Sequence, residues 1–171
     1  MMVNVRRITV VCTMHREMGL CNDRELLRIL EMIGPDVIFQ GIRASDSPSL
    51  KTLEMHAVGE FLKVRPARQV DEYAIPEDFR AELDALFDYA EFSSPEYCEA
   101  VSEIDRNAFH GGFQYLNSPD FAFLRKRADD LLENTVAMSG SQELLEILLA
   151  WNSFLRRRDD AMVRNIYALS Q

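Results

Sequence analysis

The stretch "ITVVCTMHREMGLCND", residues 8–23, decides how this chain is read. Its first five residues, "ITVVC", are apolar and rich in β-branched types, the composition of a buried strand. The run stops at Thr13 and delivers His15, Arg16 and Glu17 at once. If 8–12 is a strand, those polar residues stand at its carboxyl end. In an open parallel sheet that is where ligands bind, because loops and helix N-termini converge there.

Working outward, "DRELLRILEMIG" (23–34) predicts a helix with Leu26, Leu27, Leu30 and Ile33 on one face. Asn22 or Asp23 is placed to cap its start, and Gly34-Pro35 stops it. "PDVIFQGI" (35–42) reads as a second strand and "SLKTLEMHAVGEFLKV" (49–64) as a second helix, whose stripe of Leu50, Leu53, Ala57, Phe61 and Val64 leaves Glu54 beside it. "RQVDEY" (68–73) reads as a third strand. Helical crossovers make such strands parallel.

From residue 76 the signals are helical. "PEDFRAELDALFDYAEF" (76–92), "SPEYCEAVSEIDRNAF" (94–109) and "SPDFAFLRKRADDLLENTVAM" (118–138) each open with proline in a first turn. "HGGFQYLN" (110–117) reads as a loop broken by Gly111-Gly112, and 141–170 as one long helix or two joined near 157. The expected fold is α/β, in one domain over 1–171: a small three-stranded parallel sheet (βαβαβ) within 1–75, then a helical portion, 76–171.

Composition narrows the function. Acidic residues outnumber Lys and Arg by 28 to 19, a net charge of −9 that opposes binding to nucleic acid. The basic residues cluster once, at Arg156-Arg157-Arg158, and Asp159-Asp160 follow immediately. No window is apolar for long enough to span a membrane, and the N-terminus has no signal-peptide pattern, so a cytoplasmic protein is expected. Cys12, Cys21 and Cys98 have neither disulfide nor metal-knuckle spacing and are expected to stay reduced.

Three loops would meet at the carboxyl ends of the strands. They bring Thr13, His15 and Glu17, then Gln40, Arg43, Ser45 and Asp46, then Asp71, Glu72 and Tyr73. A histidine with carboxylates in reach is the raw material of general-base catalysis or of a metal site, whereas the plainer reading is a polar loop. A divalent metal would need Asp46, Asp71 or Glu54 to converge on His15, since one histidine and one carboxylate fall short of a catalytic zinc set. The chain has no dinucleotide fingerprint, P-loop or nucleophile elbow. His56 and His110 read as solvated or capping residues.

The last helix carries an anomaly. Leu148, Leu155, Met162 and Leu169 recur every seven residues, and Trp151 opens an adjoining apolar line that continues through Arg158 and Asn165. A guanidinium on such a line should meet a carboxylate or line a polar cavity, unless the helix breaks and turns both residues outward.

The strand end "VVCTMH", the run around "PDVI" and the late "RRRDDAMVRNI" together resemble the erythromycin esterase, ChaN and TraB/GumN/Tiki superfamily. That superfamily starts with a G-T-x-H or G-E-x-H strand end and carries an R-(N/D)-x-x-M-A-x-x-I helix. Thr13 and His15 match the first motif, with Cys12 in place of glycine. Arg158, Asp159, Met162, Asn165 and Ile166 match the second. Gln40 stands where the family usually has glutamate, and the sequence stops at Gln171, before the family's later strand with a G-H-x-x-G-like motif.

The resemblance implies hydrolysis of an ester or amide, with a small molecule or peptide as substrate. His15 would be general base or metal ligand, Glu17 its orienting acid and Arg158 an anion or carbonyl contact, while Thr13, Gln40, Arg43, Asp71 and Asn165 would line the pocket. The other expectation is a non-catalytic binding or interaction module of the same fold. The unpaired edges of so small a sheet also predict a homodimer.

Overall fold

A computed structural model describes residues 7–40, 52–65, 68–71 and 77–169. Helix α1 (Asp23–Ile33) starts where the sequence predicts: the Asn22 side chain accepts from the Glu25 amide at 3.0 Å. It ends on Gly34, left-handed at φ 57°, whose amide returns to the Leu30 carbonyl at 2.8 Å. Strand β1 (Val37–Gln40), helix α2 (Leu53–Val64) and strand β2 (Arg68–Asp71) follow. The strands pair in parallel, Val37 opposite Arg68 through Gln40 opposite Asp71, with α2 within the connection between them.

The expected three-stranded α/β fold is not what forms. Residues 8–12 are not a strand, and the described residues form six helices with a single pair of short strands. β-propensity measures how well a side chain fits a pleated, half-buried surface, and among the described residues no strand pairs with this run to supply one. Ile8 and Val10 lie exposed instead. One side chain takes the place of a partner strand at Cys12: the Asn117 carboxamide accepts from the Cys12 amide at 2.8 Å and donates to its carbonyl at 3.2 Å. Asn117 also donates to the Phe113 carbonyl at 2.8 Å.

Helices α3 (Glu77–Ser93), α4 (Pro95–Leu116), α5 (Pro119–Ser139) and α6 (Gln142–Leu169) complete the chain. Ser94 and Ser118 cap α4 and α5, accepting from the Tyr97 and Phe121 amides at 3.1 and 3.3 Å, with proline in each first turn. The loop expected at 110–117 is helical. The break expected at Gly111-Gly112 does occur, as a kink between two helical segments of α4, with Gly112 at φ 55°, ψ −146°.

That kink makes a notch for the opening stretch. Met18 and Cys21 exchange backbone hydrogen bonds of 2.8 Å across a tight turn, in which Gly19 takes φ 52°. The turn presses onto α4: the Leu20 amide donates to the Phe109 carbonyl at 3.0 Å, and the buried Cys21 thiol lies 3.5 Å from the Ala108 carbonyl. A Cβ on Gly19 would sit 2.2 Å from the Phe109 carbonyl oxygen. Glycine serves here for close approach of two backbones, a use that the sequence does not distinguish from a loop break.

The apolar side chains gather in two clusters. One joins α1, β1 and α2 to the C-terminal half of α4 through Leu26, Leu30, Ile38, Phe61 and Phe113. The other joins α3, the N-terminal half of α4, α5 and α6 through Leu86, Ala100, Leu132, Val136 and Leu148. α6 runs unbroken through 157, with Trp151 edge-on to Phe87 at 6.4 Å and stacked on Phe154 at 5.7 Å. No described helix is long and apolar enough to cross a membrane.

Candidate functional site

The site is built on the first turn of α2. Thr52 caps it, accepting from the Met55 amide at 3.3 Å, and the Leu53 amide donates to the His15 carbonyl at 3.3 Å. This docks the 13–15 segment on the helix N-terminus and places Glu54 beside it, at the end of the helix that favours a carboxylate.

Glu54 Oε1 accepts from the Thr13 hydroxyl at 2.6 Å and lies 3.1 Å from His15 Nδ1. The Glu54 side chain is 12% exposed and that of His15 69%, so the pair joins a sheltered carboxylate to an accessible imidazole. With Nδ1 engaged, Nε2 is the ring nitrogen left to meet a ligand.

The electrostatics follow from this contact. The hydrogen bond to Glu54 raises the His15 pKa above 6.5; partial burial and the positive charge of Arg158 act in the opposite direction without reversing it. Burial pushes Glu54 up, but hydrogen bonds from His15 and Thr13 outweigh it and hold the carboxyl below 4.5. Arg158 is therefore near enough for its charge to be felt at His15. Its Nε and Glu54 Oε2 are buried without a hydrogen-bond partner among the described residues. Arg158 also reaches Asp159 at 3.4 Å.

The two shifts bound a pH window. His15 stabilises the fold fully below pH 6.5, and that contribution is lost as pH rises through its folded pKa. Glu54 contributes fully above pH 4.5, and its contribution is lost as pH falls through its depressed pKa. The stability lost on Glu54→Gln substitution should therefore be largest between these limits and shrink on both sides. Urea unfolding of both proteins across the pH range checks this, and a pH-independent difference would contradict the pairing.

Of the expected site residues, Thr13 and His15 meet at Glu54 and the charge of Arg158 is felt at His15, whereas Glu17 does not join them. Its carboxylate accepts from the Asp23 amide at 3.3 Å and helps cap α1. The neighbouring Arg16 pairs with Asp105 of α4 at 2.7 Å. Gln40 and Asp71 are register partners at the carboxyl ends of β1 and β2. Asn165 is half-buried on α6, seven residues after Arg158. Arg43, Ser45, Asp46, Glu72 and Tyr73 lie outside the described residues.

His56 pairs with Asp23 at 2.5 Å and ties α2 to α1, while His110 stands edge-on to Phe109 at 5.0 Å. Among the described residues no three His, Cys, Asp or Glu side chains group as a metal site. Glu54, one of the three carboxylates expected to converge on His15 for a metal, is the acid that meets it, in the orienting role expected of Glu17. Its signal was present: a threonine N-cap with glutamate two residues later puts a carboxylate at a helix start. No protein-family model, curated protein or solved structure compared with this chain matches it.

Proposed function

We propose that this chain is a hydrolase-like protein in which His15 is the general base for cleavage of an ester or amide, Glu54 the acid that orients it. The observation that carries the reading is the 3.1 Å contact between Glu54 and Nδ1 of an exposed imidazole. Held this way, His15 Nε2 takes a proton from an attacking water as its oxygen bonds to the acyl carbon, and returns it to the leaving group when the old bond breaks. Glu54 stabilises the imidazolium in between, and Arg158 offers positive charge to the developing oxyanion.

The reading rests on the site and not on the fold, since the described residues form a two-stranded sheet in place of the three-stranded one that the sequence pattern predicts. What the resemblance contributes is the pairing of Thr13 and His15 with Arg158, two motifs far apart in sequence. A panel of activated esters and short peptides tests it. His15→Ala and Glu54→Gln are each expected to lower the rate about a hundredfold. A His15→Ala protein as active as the unaltered chain overturns the catalytic role.

The second reading, a non-catalytic binding module, is favoured by the two buried groups that lack partners, Glu54 Oε2 and Arg158 Nε. A ligand could satisfy both without reacting. An unaltered protein inert across the whole panel would select this reading.

A further inference from the structure

The run Arg156-Arg157-Arg158-Asp159-Asp160 has an order that the site leaves unused. Its charges invert about position 158: two cations precede it and two anions follow at the same spacings. A copy of α6 running the opposite way would set Arg156 against Asp160, the cation and anion of this run that lie on one exposed face. The rest of the exposed face has the same symmetry.

Leu149, Ser153, Arg156, Asp160, Val163 and Tyr167 are all exposed on α6. At 100° per residue they fall within roughly 80° of the helix circumference, a single stripe. In reverse about 158, Leu149 meets Tyr167, Ser153 meets Val163 and Arg156 meets Asp160, so the six positions map onto one another. Each bulky apolar group faces an apolar or small partner. Arg156 and Asp160 have no ion-pair partner among the described residues, and Arg158 is half-buried on another side of the helix, clear of its own copy.

We propose that α6 is the dimer interface of this protein, pairing antiparallel with α6 of a second copy about a two-fold axis at position 158. The isologous geometry uses one self-complementary surface twice. Two apolar ends flank a centre of two ion pairs, Arg156 with Asp160 occurring twice, while Arg157 and Asp159 lie about 80° to either side of the centre of the stripe, outside the contact. The charges set direction and register, because a parallel or shifted pairing would place like charges together. The dimer once expected from free sheet edges is thus assigned to a helix face.

Sedimentation equilibrium over about two decades of concentration tests this. The unaltered chain is expected to show a monomer–dimer equilibrium, and Arg156→Asp or Asp160→Arg to weaken it about tenfold or more. Combining the two variants makes the test specific: R156D carries an acidic stripe and D160R a basic one. Each alone should dimerise at least about tenfold more weakly than the unaltered chain, and an equal mixture should recover a one-to-one dimer. The proposal is overturned by an unaltered chain that stays monomeric, by a dimer indifferent to either single reversal, or by a mixture of the two stripes, both folded by circular dichroism, that does not associate.

Discussion

Phe61→Ala is expected to lower the free energy of unfolding by about 4 kcal/mol. Phe61 is 1% exposed and sits on α2 among Leu26, Leu30, Leu53 and Ala108, at the meeting of α1, α2 and α4. Truncation removes the transfer free energy of a benzyl group and leaves a cavity that neighbours on three separate elements cannot close together. Urea unfolding measures the effect as a lower midpoint with unchanged slope. A loss under about 1 kcal/mol would mean that the cluster is loosely packed. Because α2 carries Thr52 and Glu54 at its other end, the same helix anchors the candidate site.

Gly112→Ala should cost about 3 kcal/mol, for two separable reasons. At φ 55°, ψ −146°, the backbone occupies a region that side-chain-bearing residues avoid. An added Cβ would also lie 2.8 Å from the Leu20 Cβ and 3.0 Å from its carbonyl oxygen. The new methyl drives the 18–21 turn out of its notch. Gly140 separates the two causes: it has a positive φ of 65°, but a Cβ there meets nothing within 4 Å. Gly140→Ala is expected to cost about 1 kcal/mol, the conformational part alone. Equal losses at both positions would show that the notch itself is soft.

The helices were legible because their ends are written in local chemistry. Asn22 and Gly34 bracket α1, and Ser94-Pro95 and Ser118-Pro119 start α4 and α5, each through groups within three or four residues of the backbone they satisfy. "ITVVC" misled because a strand is a statement about a partner. The bonds that hold Cys12 come from Asn117, across 105 residues, and no window on the chain contains both. At Gly111-Gly112 the break was legible but its purpose was not, since the need for glycine at 112 arises from Leu20.

The site was half legible. Arg158 stood out as a cation on an apolar line, and α6 stays unbroken, so the residue keeps the inward side and its charge reaches His15. The identity of the acid was not readable from proximity in sequence. Glu17 is two residues from His15 and faces α1, whereas Glu54 is 39 residues away and touches it.

The Asn117 tether has a consequence for the order in which the protein is made. During synthesis residues 12–21 leave the ribosome long before Phe109, Gly112 and Asn117, the groups that seat them. Domains tend to fold as their chains emerge, and contacts of long sequence separation form late because their loop-closure entropy must be met first. Cys12 and the 18–21 turn must therefore wait, with their apolar neighbours unprotected, until α4 is complete. A nascent chain stalled before Asn117 would already hold the residues for α1 and α2, with the Leu53 and Glu54 partners of His15, and still lack the anchor for Cys12.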